Sequence, residues 1–74
     1  LSLQKLNRNL IEPITDREFD VIELLNDGKT NTQISEQLFI SLNTTKKHIK
    51  NIFVKLEVSS RSSLIAAARN LMSA

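Results

Sequence analysis

The 74-residue sequence contains no Cys, no Trp and no Tyr, and only one Gly, one Pro, one His and one Met. Each shortage closes a route. Without Cys there is neither a disulfide nor a thiolate metal site, so stability must come from packing, and a cytoplasmic location is permitted. The lone His48 has no Cys, second His or close carboxylate cluster to share a metal with, so no metal is expected. One Gly leaves no phosphate-cradling loop and no nucleophile stands beside an activating base, so neither an enzyme nor a cofactor is expected. The three aromatics, Phe19, Phe39 and Phe53, are too scattered to form the stacking platform of a single-strand binder. No apolar run approaches the roughly 20 residues that cross a bilayer, and no signal-peptide pattern is visible.

What is present is a divided charge. The net charge is +2, but residues 1–27 hold three basic residues against six acidic ones, and the remainder holds seven against two. A net of −3 thus faces a net of +5, a plausible footprint for nucleic acid. The chain is one domain, near the lower size at which a chain folds without staples, where about 60% of the unfolded surface is buried.

Residues 1–13 read as a linker or amphipathic tail. Leu3, Leu6 and Leu10 fit a short helix or a frayed end equally well before Pro13 interrupts. The domain proper runs over 14–74. Thr15 and Glu18 form a capping box that starts a helix with Val21, Ile22, Leu24 and Leu25 as its buried stripe. Ile14 staples its entry, Gly28 suits a left-handed stop, and Phe19 falls off the stripe and should be partly exposed. Thr30 and Gln33 repeat the capping box for a short helix through Ile34 and Leu38, and Phe39, Ile40 and Ser41 make a turn. Ser41 then caps a helix to about Leu56, and Ser59, Ser60 and Arg61 open a last one with Leu64, Ile65, Ala68, Leu71 and Met72 on its apolar side. Nothing alternates with period two, so the expectation is all-α, with four helices and no strand.

The third of these helices carries the chemistry. Thr45, Ile49, Ile52, Phe53 and Leu56 gather into one stripe, and Lys46, Lys47, Lys50 and Asn51 point away from it. Three ammonium groups and an amide within two turns suit a groove lined by phosphates and base edges. A short helix, a three-residue turn and a longer basic helix is the helix-turn-helix arrangement. On charge and spacing alone, a solvated lysine face remains an alternative.

The pattern Ile14-Thr15-Asp16-Arg17-Glu18, Val21-Ile22, Gly28-Lys29-Thr30-Asn31, Ile34, Leu38, Ile40-Ser41, Thr44-Thr45-Lys46-Lys47-His48, Ile52, Lys55-Leu56 and Ser60-Arg61 resembles the LuxR/FixJ (GerE-like) helix-turn-helix domain. The resemblance spans residues 14 to about 70. It implies the C-terminal, DNA-binding effector domain of a bacterial transcription regulator, behind a receiver or ligand-sensing domain that this chain lacks. In that pattern the third helix, about 42–57, enters the major groove of double-stranded DNA, with Lys46, Lys47, Lys50 and Asn51 at base edges or in the groove. Lys29, Thr30, Asn31, Ser41, Thr44 and His48 stand at phosphate-contact positions. The fourth helix is similar to the one through which such domains form homodimers, which here presents Leu64, Ile65, Ala68 and Met72. Three residues depart from the pattern: Thr45 replaces the usual Val, Glu57 the usual Gly, and Lys47 occupies a variable position. Two rival readings are a helical protein-interaction module and a sigma-factor promoter-binding region, the second of which would bring longer basic flanks. From the residues themselves, His48 fits a phosphate contact or simple packing, and Arg61 a tie between the third and fourth helices or a backbone contact.

Overall fold

The computed structural model describes residues 3–7, 10 and 12–73, without the side chains of Lys5, Leu6, Met72 and Ser73. The tail contributes a short helix, α1 (Leu3–Asn7), which packs on the last helix of the chain. Asn7 ties it down, since its side-chain amide donates to the Ile14 carbonyl at 3.1 Å and its side-chain oxygen accepts from the Ile14 amide at 2.7 Å. The side chain of Leu6, expected on the apolar side of this tail, lies outside those described.

The four expected helices follow as α2 (Asp16–Asn26), α3 (Asn31–Leu38), α4 (Leu42–Leu56) and α5 (Arg61–Ser73), with no strand among the described residues. Both capping boxes form. The Thr15 hydroxyl accepts from the Glu18 amide at 3.2 Å while the Glu18 carboxylate accepts from the Thr15 amide at 3.0 Å. Thr30 and Gln33 repeat the exchange at 3.2 and 2.9 Å. Helix α2 ends on Gly28 at φ +82°, where the amides of Gly28 and Lys29 reach back to the carbonyls of Leu25 and Leu24. Ser41 caps α4 and accepts from the Thr44 amide at 3.0 Å.

Two stops are made without glycine. Phe39 after α3 and Glu57 after α4 both sit at φ 56°, in a left-handed conformation that crowds Cβ against the carbonyl and costs about 1 kcal/mol or more for an L-residue. Each is held by the same return of amides, Ile40 to the Ser35 carbonyl and Val58 to the Phe53 carbonyl. Phe39 is besides 94% exposed.

One apolar cluster joins the helices: Ile14, Val21, Ile22, Leu25, Ile34, Ile52, Leu56, Leu64 and Ala68 are buried, and Phe19, Leu24, Ile49 and Phe53 pack half-buried at its edge. The helix-turn-helix pair α3–α4 is therefore backed by α2 and α5. Thr45 is fully buried within this pair. Its hydroxyl lies 3.2 Å from the Ser41 carbonyl one turn back and 2.7 Å from the Ser35 hydroxyl, which in turn lies 2.8 Å from the Asn31 carbonyl. Two hydroxyl protons serve these three contacts, so the chain of bonds runs in one direction or the other, and both hydroxyls stay satisfied either way.

A second polar tie crosses α2 and α4. The Lys55 ammonium sits 2.6 Å from the buried Glu18 carboxylate and donates also to the Pro13 carbonyl at 3.0 Å. Burial pushes the Glu18 carboxyl up, but the hydrogen bond from Lys55, the Thr15 amide and the Lys55 charge outweigh it and hold it below its usual value of 4.5. A carboxylate with a depressed native pKa contributes stability above its unfolded pKa and loses it as pH falls through the native value. Thermal midpoints should therefore stay level on this account above about pH 5.5, then decline on acidification. Glu18→Gln should flatten the part of that decline that belongs to this pair; an unchanged profile would remove the pair from the acid response.

Candidate nucleic-acid interface

Helix α4, about 22 Å long by its residue count, turns Ile52, Leu56 and Thr45 inward. The opposite side is consequently open. Lys46, Lys47, Lys50 and Asn51 are all exposed there. Lys46 and Lys50 stand four residues apart and Lys47 and Lys50 three, a spacing at which like charges repel along a helix. Among the described residues only two ion pairs form, Arg17 with Asp20 and Lys55 with Glu18, so none of these three lysines is neutralised within the fold. Such a face gains free energy when an external anion arrives.

The middle of that face also holds Asn43 and Val54, exposed at spacings of four from Lys47 and from Lys50. Sequence reasoning passed over both, although the periodicity that placed the lysines would have found them. Asn43 is the more telling, because it lies in the first turn of α4, and an amide there can pair with a base edge.

The helix N-termini complete the arrangement. Helix α2 places Asp16 and Glu18 in its own first turn, whereas α3 and α4 have no acidic residue in theirs. Their positive ends and first-turn amides are left for an outside anion. At α4 the exposed Ser41 hydroxyl donates to the Thr44 hydroxyl at 2.9 Å. The Thr44 proton is then free to donate outward, so Ser41 orients the donor and Thr44 presents it. At α3, Thr30 is exposed and Lys29 and Asn31 are half-buried beside it. His48 is half-buried on the flank of α4, one turn beyond Thr44.

Arg61 departs from the expected tie between the third and fourth helices of the sequence reading, α4 and α5. It reaches the start of α3 rather than α4, donating from one guanidinium nitrogen to the Asn31 side-chain oxygen at 2.9 Å and from the other to the Lys29 carbonyl. The two residues are 30 apart in sequence, and only the packing of α5 against the rest of the domain brings them together.

The expected surface on α5 requires a correction. Leu64 is fully buried and Ala68 is 2% exposed, so both belong to the core of a single copy and have nothing to offer a second. Ile65 is half-buried and retains some surface, while the side chain of Met72 lies outside the described residues. An apolar stripe that must cover α2 and α4 is largely spent within the single copy.

The chain is matched over residues 12–68 by the model of the bacterial regulatory proteins, luxR family. It is 47% identical over 60 residues to the transcriptional regulatory protein LiaR of Bacillus subtilis (strain 168), a match covering 80% of this chain and 28% of that protein. It is likewise 47% identical over 53 residues to a nitrate/nitrite response regulator protein homolog of Haemophilus influenzae, covering 72% of this chain and 26% of that one. The crystal structure of response regulator ChrA of a heme-sensing two-component system superposes with a TM-score of 0.79 at 34% identity, over 92% of this chain and 34% of that chain. The chain spans about a third or less of the length of these proteins. With the helix-turn-helix geometry and the family match in agreement, the chain belongs to the luxR family of bacterial regulatory proteins, as a DNA-binding domain of a transcription regulator.

Proposed function

We propose that this domain reads a short double-stranded DNA site by inserting α4 into the major groove. The observation that carries the reading is the row of unneutralised lysines, Lys46, Lys47 and Lys50, beside the acid-free N-termini of α3 and α4. Lys47, Lys50, Asn51 and Asn43 meet base edges or the groove floor, with Lys46 on the near wall. Lys29, Thr30, Asn31, Thr44 and His48 meet flanking phosphates, which set position without reading sequence, and Ser41 acts by orienting Thr44.

The rest of the protein belongs to the same proposal. An upstream regulatory domain would receive the signal, the segment from Leu3 to Pro13 would carry it, and a pair of domains in the cytoplasm would bind two half-sites. Pairing raises affinity because the second half-site is then engaged intramolecularly. The surface for it is the part of α5 that the core leaves uncovered, Ile65, Ala66, Ala67 and Leu71.

A residue-resolved NMR titration of the domain with a mixed-sequence duplex at low salt tests the reading. Amide shifts are expected between Thr30 and Asn51, fading as salt rises because bound counterions are released on binding. Silence in that region, with changes gathering instead on α5 as protein concentration is varied, would make this an association module.

A further inference from the structure

At the start of α3 the Asn31 side chain is held in one orientation by chemistry that permits no flip. Arg61 carries only donors, so the Asn31 atom that faces its guanidinium at 2.9 Å must be the oxygen. The amide nitrogen, with both its protons, is therefore turned away from Arg61. The second arm of the guanidinium closes on the Lys29 carbonyl, so a planar fork spans the Thr30 cap from one side to the other.

The electrostatics of this placement are unusual. Arg61 is the first residue of α5, and its guanidinium lies beside the first turn of α3. A cation thus stands near the positive ends of two helices, where cations are disfavoured. Neither helix has an acidic residue in its first turn, and among the described residues Arg61 makes no ion pair. A guanidinium whose task was only to tie α5 to α3 would be better served by an acidic partner, and Asp in place of Asn31 would supply one while also favouring the helix end. Asn is instead the residue that keeps a hydrogen-bond donor on the outer side.

We infer that Arg61 is a positioning residue for DNA binding: its fork orients Asn31 so that the side-chain amide donates to a backbone phosphate at the start of α3. The inference rests on the reading of α3 and α4 as the DNA-binding face. It assigns to the first residue of α5 a share in affinity that its distance from the reading helix conceals.

The test is the affinity of the domain for a mixed-sequence duplex, followed by fluorescence anisotropy across a salt series, with thermal midpoints measured alongside. Arg61→Lys keeps the charge and loses the fork. It should bind about three- to ten-fold more weakly, the worth of one oriented hydrogen bond, with the salt slope and midpoint nearly those of the parent. Asn31→Ala should lose a similar factor, and Arg61→Lys added to Asn31→Ala should lose no more. Parent-like binding by Arg61→Lys, or a full additional loss in the Asn31→Ala background, would overturn the inference. So would a loss matched by a fall in the midpoint, which would mark a purely structural tie. Lys50→Ala in the same assay separates the two levels. If it too binds like the parent, the DNA-binding face itself has been misplaced; if it weakens while Arg61→Lys does not, only the positioning role fails.

Discussion

Ile52→Ala is expected to strip the domain of much of its stability. Ile52 is fully buried in the cluster to which α2, α3, α4 and α5 all contribute. Truncating a buried Ile to Ala costs about 2 to 5 kcal/mol, the upper part of that range where surrounding helices cannot close over the void. Here they are poorly placed to do so, because α4 is braced by the Lys55 pair on one side and the Thr45 hydroxyl on the other. Domains of this size hold a total stability of about 5 to 10 kcal/mol or less, so one such loss consumes much of it. Urea titration followed by circular dichroism measures the effect as a fall in midpoint at unchanged slope. A variant as stable as the parent would mean that α4 is rotated from the orientation described.

Lys50→Ala should show the opposite division, with binding lost and stability kept. Lys50 is exposed, makes no ion pair and lies between Lys46 and Lys47 on the lysine face. Removing it relieves repulsion within α4 of the order of a few tenths of a kcal/mol, so the thermal midpoint should hold or rise slightly. Loss of a base-edge contact costs about 1 to 3 kcal/mol, roughly a 5- to 150-fold weakening, and relaxes preference at one position of the site. Loss of a phosphate contact instead weakens all sequences alike and lowers the salt slope by about one. Comparing one specific and one scrambled duplex across a salt series therefore both tests the contact and sorts it. Lys47→Ala, on the neighbouring position, gives the control within the same face. Equal affinity of both variants to the parent would move the interface off α4.

Local rules carried the sequence reading a long way. The two capping boxes, the left-handed Gly28 and the Ser41 cap each depend on residues within about five positions of one another, and all formed, while Ile14 at the entry to α2 is buried. The inward stripe of α4 was legible for the same reason. What stayed hidden was whatever two distant segments make together. Lys55 meets Glu18 across 37 positions, and Arg61 meets Asn31 across 30; neither has a periodic signature. Thr45 has one partner within its own helix turn, the Ser41 carbonyl, but the other, Ser35, lies ten positions away. Leu64 and Ala68 show a different limit: an apolar stripe declares that something will cover it, without saying whether that is the chain's own core or a second copy. Phe39 shows a third, since a bulky residue at positive φ contradicts the local preference and is tolerated because the Ile40 amide bond and the short turn hold it there.

The hydroxyl contact between Ser35 and Thr45 bears on how finely the domain can aim. Contacts between isoleucine and leucine surfaces have no preferred direction, so on their own they fix the roll of a helix about its axis less sharply than a directional bond does. A 2.7 Å bond admits no such play without breaking, and a buried break is expensive. A roll of about 20° on a helix whose side chains end some 5 to 6 Å from its axis would carry a lysine tip sideways by roughly 2 Å, enough to lose hydrogen-bond geometry with a base. One pair of hydroxyls thus acts as a detent on the reading helix, making its angular tolerance, rather than its strength of attachment, the property under control.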